Sequence, residues 1–328
     1  MTDDGHREGS RPDDFDRNDF HRYLRAKRTV DDRSLDRRVV GRLEEELRVA
    51  SEENGGPLRV LEVGAGVGTM VERLVEWDVL PAAEVRYTAV DVDASNVRAM
   101  RRRLPDWAVD RGMDATGGEA DAGPLTLSGR DRTLVVEPVV ADATDFVETA
   151  RGDAEAATGE WDLLIGAALL DVLGLDALPT LLSSLDPGGL WYFPITFDGA
   201  TRFVPSLPAD RLVERYYHEH MDRKPGGNSR AGQGALERLR DRSTADVLEV
   251  AGSDWIVRPI DGAYPADEAF FLRYVLGTIE DALGELDRGE DLPDDLLARW
   301  LEERRRQVDD AHLVYLTHQL DLLGRVTG

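Results

Sequence analysis

Glu62 follows the apolar residues Val60 and Leu61, and three glycines, Gly64, Gly66 and Gly68, then fall at every second position. Glycines so placed let a backbone approach a bulky ligand and take up positive φ at little cost. Two further carboxylates close apolar runs in the same way: Asp91 after Ala89 and Val90, and Asp142 after Val139, Val140 and Ala141. Asp91 lies roughly 20 residues beyond the glycines, where open α/β nucleotide binders place an acid on ribose hydroxyls. A carboxylate there can accept both hydroxyl hydrogens. Asp93, two residues on, suits the cap of a following helix, and so do Asp142, Thr144 and Asp145.

Three motifs compete for the glycine stretch. A phosphate-binding P-loop needs Gly-Lys-Ser/Thr, and no lysine stands here. A dinucleotide fingerprint spaces its glycines G-x-G-x-x-G, and Gly68 comes one position early for that. What remains is E-x-G-x-G-x-G, carried by Glu62, Gly64, Gly66 and Gly68. It resembles motif I of the class I S-adenosylmethionine (SAM)-dependent methyltransferases. An acid at the strand end suits a ligand bearing an ammonium and a sulfonium better than one bearing a pyrophosphate.

The resemblance implies residue roles. Glu62, Gly64, Ala65, Gly66 and Gly68 would hold the methionyl part of SAM. Asp91 with Val92 would hold the ribose, and Asp142 with the backbone of Ala143 the adenine. Gly166, Ala167 and Ala168, at the exit of a fourth strand, would face the methyl group. Family members that methylate adenine, cytosine or glutamine nitrogens carry an Asn/Asp-Pro-Pro-aromatic loop at that exit. Its absence argues against those acceptors. The chain has no cysteine, which argues against cytosine carbon-5 chemistry and excludes disulfides and Cys-ligated metals. The resemblance covers about residues 55 to 200 and extends to the turn Asp186-Pro187-Gly188-Gly189 before the fifth strand.

The elements that position these residues read as follows. Strands are expected at Val60–Val63, Glu84–Asp91, Leu134–Val140, Trp161–Ile165 and Leu190–Phe197, with a sixth over Val247–Arg258. The stretch Leu313–Leu322 reads as an antiparallel seventh strand, as the family fold implies, or as a helix. Helices are expected from Ser34 (with Leu35, Val39, Leu43 and Leu47), after Thr69, from Arg98 to Leu104 with Pro105 ending it, over Leu175–Leu185 and Ala235–Arg240, from Pro265 onward, and near Asp294–Gln307. The fold class is therefore α/β, a Rossmann-like open sheet of about seven strands, mostly parallel, with helices on both faces. Residues 1–18 read as a disordered acidic tail, 19–54 as a helical lid and 55–328 as the catalytic domain. Within the domain, 106–132 is an acidic surface insertion with a short hairpin near Leu125–Leu127, 198–245 a substrate-side segment and 265–310 a helical insertion.

Two clusters bear on the substrate side. Arg25, Lys27 and Arg28 form either a solvated helix face or part of a lid, with Arg28 meeting a carboxylate of SAM or substrate. Tyr217, His220 and Arg230 are candidates to face the acceptor, with histidine as a general base. The glycine-containing stretch after Pro225 reads alternatively as a loop in which Asn228 or Ser229 caps a helix. The pair His218 and His220 has metal-ligand types, but no third ligand stands at recognisable spacing, and no metal is expected.

The charge balance is unusual, with 40 basic against 65 acidic residues in 328 and a net charge of −25. Only Lys27 and Lys224 are lysine. This composition resembles that of proteins from extreme halophiles, whose self-repulsion concentrated salt screens. So acidic a chain is a poor general partner for nucleic acid. No apolar run approaches the ~18 residues of a membrane span, and no secretory signal stands at the N-terminus, so a cytoplasmic location is expected. The function expected is methyl transfer from SAM to an N, O or S atom of a small-molecule acceptor. The alternatives are a non-catalytic SAM-binding scaffold and a nicotinamide-dependent reductase. The sequence leaves the oligomeric state open.

Overall fold

Apolar residues alternate along the central strands because both faces of the sheet are covered. On β1 (Leu58–Val63), Leu58 and Val60 join one core and Leu61 and Val63 the other. On β2 (Glu84–Asp91), Val85, Tyr87 and Ala89 face the first core and Val90 the second. Full burial of such side chains is worth about 1.5–3 kcal/mol each. The computed structural model describes residues 17–81, 84–118, 123–152 and 160–327. The tail expected over 1–18 lies outside these, except that residues 17 and 18 already belong to a helix.

That helix, α1 (Arg17–Ser34), is followed by α2 (Arg37–Asn54). Sequence reasoning put the α2 cap at Ser34; the cap is Asp36, whose carboxylate accepts from the backbone N–H groups of Arg38 and Val39. Ser34 instead closes α1, its hydroxyl donating to the Val30 carbonyl. After β1 come α3 (Thr69–Glu76), β2 and α4 (Ala94–Asp110). Pro105 does not end α4. A proline inside a helix costs about 3 kcal/mol, but Met100, Leu104, Trp107 and Ala108 lie buried on one side of it, and that packing carries the helix on.

The stretch expected as a surface insertion is only partly that. β3 (Asp114–Thr116) and β4 (Leu125–Ser128) form a hairpin that extends the sheet beyond β5 (Thr133–Val140), with Leu125 and Leu127 fully buried. Next come α5 (Ala143–Gly152) and β6 (Trp161–Ile165). The single helix expected over Leu175–Leu185 is instead broken into α6 (Leu170–Leu173), a 3-10 turn at Leu175–Ala177 and α7 (Leu178–Leu182). Gly174, at φ +93°, makes the first break.

β7 (Leu185–Val204) is longer than expected at both ends and contains the Asp186–Gly189 turn as an excursion, since Trp161 pairs with Leu185 but Leu163 with Leu190. α8 (Asp210–Arg223), α9 (Ala231–Arg240), β8 (Ala245–Gly252), the two-residue β9 (Ile256–Val257), α10 (Glu268–Gly284), α11 (Asp294–Asp309) and β10 (Val314–Val326) complete the chain. The sixth strand expected over Val247–Arg258 is thus two, and β10 is a strand, not the alternative helix.

The ten strands form one sheet in the order β3-β4-β5-β2-β1-β6-β7-β10-β8, with β9 paired to β10. From β5 to β7 neighbours are parallel; β10 runs antiparallel to both β7 and β8. The count is ten, not about seven, because the β3–β4 hairpin and the short β9 add to the expected set. The chain runs outward from β1 through β2 to β5, then returns to β6 on the other side. The crevice at this reversal, beyond the carboxyl ends of β1 and β6, is where open α/β sheets bind ligands. No helix among the described residues is long and apolar enough to cross a membrane.

Candidate functional site

A cavity of about 400 Å3 opens at that crevice, within the ~300–1,000 Å3 range of small-molecule pockets. Its floor is the turn after β1. Gly64, Gly66 and Gly68 sit at φ +70°, +55° and +83°, in the left-handed region that favours glycine. A Cβ on Gly64 would come within 2.8 Å of Leu169 Cδ1, and one on Gly68 within 2.9 Å of Met100 Cγ. The turn is held to β2: the Gly66 N–H donates to Asp91 Oδ2 at 2.7 Å, and the Ala65 N–H to the Val90 carbonyl at 3.0 Å.

Asp91 is buried at the cavity wall. Besides Gly66 it accepts from the Asn96 side-chain amide at 3.0 Å and from the Asp93 N–H at 2.9 Å. Its carboxylate is thereby fixed with lone pairs to spare. Asp93 caps α4 through the Ser95 N–H. Glu62 is 2% exposed and lines the cavity floor. Burial pushes its carboxyl up to about 8, against the opposing pull of the Tyr87 hydroxyl, which donates to it at 2.7 Å, and of Arg73.

α1 lies over the cavity. Arg22 makes a two-pronged contact with Asp267 at 2.6 and 2.8 Å. Thr29 and Arg33 both donate to Glu268, a fully buried carboxylate on α10. Tyr23 stacks on Tyr274 with ring centres 4.4 Å apart. From the inner face of α1, Lys27 donates to Asp31 at 2.7 Å, and the Trp255 indole N–H also donates to Asp31, at 3.1 Å.

The sequence-derived candidates separate here. Glu62, Gly64, Ala65, Gly66, Asp91, Ala167 and Tyr217 line the cavity, while Gly68 shapes its turn from behind. Arg28 does not line it: its guanidinium is drawn to Glu72 and Glu76 on α3. Asp142 does not either. It caps α5, accepting from the Thr144 hydroxyl at 2.6 Å and from the N–H of Thr144 at 2.8 Å and of Asp145 at 3.2 Å, and those bonds hold its carboxyl below the usual range. Val92 is largely exposed, Ala143 packs into the second core, and Gly166 packs on Phe193. His220 pairs with Glu285 at 2.8 Å and Arg230 is exposed at the start of α9, so neither reaches the cavity. His218 bonds Thr201 at 2.9 Å, and no cluster of potential metal ligands exists among the described residues.

Residues that sequence reasoning did not single out complete the wall. Arg73, on α3, is 2% exposed; its Nε donates to Asp32 at 2.6 Å, and its Nη2, 3.8 Å from Asp31 Oδ2, has no hydrogen-bond partner among the described residues. Thr317 Oγ1 and Gln319 Oε1, on β10, are likewise buried and unpartnered, as are Asn96 Oδ1 and Asp171 Oδ1. All five side chains line the same cavity. Buried polar atoms are normally satisfied, so five such atoms around one space indicate a polar occupant. Asp171 belongs to α6, and burial pushes its carboxyl up to about 6 despite the attraction of Lys27. Tyr217 is pushed up to about 12 by burial and by Asp171.

No protein-family model matches the chain, and no curated protein does. Among solved structures, it is similar to geranyl diphosphate C-methyltransferase from Streptomyces coelicolor A3(2), in complex with S-adenosyl-L-homocysteine, at 12% identity, 87% coverage of this chain, 75% of that chain and a TM-score of 0.39. It is similar to the plantazolicin methyltransferase BpumL in complex with SAH at 11% identity, with 97% and 92% of the chains covered and a TM-score of 0.39. A SAM-dependent methyltransferase from Archaeoglobus fulgidus matches at 11% identity, with 87% and 94% covered and a TM-score of 0.34.

Proposed function

We propose that the chain is a SAM-dependent methyltransferase acting on a small molecule. One observation carries the reading: Glu62, the three-glycine turn and Asp91 meet at one wall of a cavity that also holds five unpartnered buried polar atoms. The donor and acceptor types match the proposed cofactor. Glu62 faces the ammonium and sulfonium end, Asp91 takes the ribose hydroxyls, and the spare N–H of Arg73 receives the carboxylate, the role the sequence suggested for Arg28. Bound there, SAM supplies a methyl group on a positively charged sulfur.

The chain's own contribution is position and exclusion of water. α1, pinned to α10, closes the space, and a closed site that holds reacting atoms about 3–3.5 Å apart supplies a large part of a displacement barrier. The phenol of Tyr217 stays protonated at neutral pH and can donate a hydrogen bond to the acceptor. The absence of cysteine leaves no thiolate route. The acidic surface supports a second proposal, adaptation to high salt, and the fold is expected to weaken in dilute buffer.

The test is titration of the full chain, in molar salt, with SAM and with NADH. Micromolar SAM binding supports the reading; binding of NADH without SAM sinks it. Release of S-adenosylhomocysteine in the presence of a small-metabolite extract then separates an enzyme from a scaffold that only binds.

A further inference from the structure

We infer that the acceptor carries a cationic amine and that Asp171 is the residue that holds it, an inference resting on the assignment of the opposite wall to SAM. Asp171 lies where an acceptor must come. It stands two residues after Leu169, whose side chain packs on Gly64 in the glycine turn, and it lines the cavity.

Among the carboxylates of that cavity, Asp171 alone lacks a donor from elsewhere in the described chain. Glu62 has the Tyr87 hydroxyl, Asp91 has Gly66 and Asn96, and Asp31 has Lys27 and Trp255. Among the described residues the Oδ1 of Asp171, shut off from solvent, has no partner, and the hydrogen bond to its carboxylate comes from its own backbone N–H. Lys27, the cation that acts on it, is given to Asp31. A carboxylate left so is costly unless something positive arrives.

The walls beside Asp171 suit the same guest. Tyr23, Tyr217 and Tyr315 line the cavity. Asp171 acts electrostatically on both Tyr23 and Tyr217. Aromatic faces attract ammonium groups, and phenol oxygens accept from them. An anionic acceptor finds no free cation among the described residues of the cavity: Lys27 is paired with Asp31, and Arg73 is paired with Asp32 through its Nε, its remaining N–H being the one assigned to the SAM carboxylate.

An isosteric series tests this with the full chain. Phenethylamine, 2-phenylethanol and 3-phenylpropanoate share a skeleton and differ in charge; each is titrated by calorimetry in the presence of saturating S-adenosylhomocysteine. The expected result is phenethylamine bound at least tenfold more tightly than the other two. In Asp171→Asn that preference disappears while SAM affinity stays within threefold of wild type. Equal or tighter binding of the alcohol or the carboxylate, no binding of the amine, or an unchanged preference in Asp171→Asn overturns the inference. If that variant fails to fold, the wild-type ranking decides alone. Failure of the cofactor assignment looks different: wild type then binds neither SAM nor S-adenosylhomocysteine.

Discussion

The two walls of the cavity are built from different distances along the chain. The wall assigned to SAM comes from a short span between Glu62 and Asn96, two consecutive strand–helix units whose strand ends lie side by side because β1 and β2 pair in parallel. The opposite wall gathers α1, α6, α8, the middle of β7, Trp255, α10 and β10, parts spread from Phe20 to Gln319. A βα repeat places successive strand ends on one edge by topology alone, so a local pattern can announce the first wall. The second depends on how helices from both ends of the domain pack over the sheet.

That difference can be broken or sharpened by experiment. The largest effect is expected from Asp91→Ala, which removes an acceptor for two hydroxyls. Hydrogen bonds to charged groups are worth about 1.5–3 kcal/mol each, so SAM affinity should fall at least ~100-fold, as read by calorimetry, with a melting curve to check the fold. Asp142→Ala makes the contrast. It should lower stability by about 1 kcal/mol through loss of the α5 cap and leave SAM affinity within threefold. Equal losses in the two variants would erase the distinction between them.

The next effect is linked to protons. Burial holds Glu62 near 8, so it is mostly protonated at pH 7 in the free protein. A cation arriving beside it favours the carboxylate, so its pKa falls and a proton leaves on binding. SAM affinity should therefore rise with pH from about 6 to 8, by up to about tenfold per unit. Calorimetry in buffers of different ionisation enthalpy should show proton release, and Glu62→Gln should abolish the slope. Proton uptake would reverse the assignment of this wall to a cation.

A smaller, general effect is expected from salt. With a net charge of −25, transfer from molar salt to dilute buffer should lower the melting temperature by several degrees, followed by circular dichroism; no change would remove the proposal of salt adaptation. The smallest effect is expected for Arg28→Ala. It should cost stability by leaving Glu72, which is fully buried, with one cation fewer, while SAM affinity changes less than threefold.

The sheet order from β5 to β7, the glycine turn and Asp91 were legible because each rests on short-range spacing. Arg28 and Arg73 show where legibility ends. Both are arginines on helices beside the cavity wall, but Arg28 finds Glu72 and Glu76 across more than forty positions of sequence, and only the packing of α1 on α3 decides that. Asp142 shows a different limit, since a carboxylate before a helix has two sound uses and its spacing does not choose between them. The β10 contribution did leave a trace. Tyr315, Thr317, Gln319 and Asp321 are buried at alternate positions of one strand, and polar residues repeating with period two inside an apolar stretch mark a strand face that borders something polar. Pro105 was misread because local propensity was given more weight than the buried face of α4.

The position of β10 has a consequence for the order of events in synthesis. β7 and β8 are made before β10, yet each pairs with it, and it lies between them. Until that strand emerges, the carboxyl half of the sheet has two open edges and the cavity lacks Thr317 and Gln319. Such late, long-range pairing slows folding and leaves unpaired edges exposed to other chains meanwhile. The cavity is therefore complete only once β10 has paired, and a ligand bound there can reward the fold only after that strand is in place.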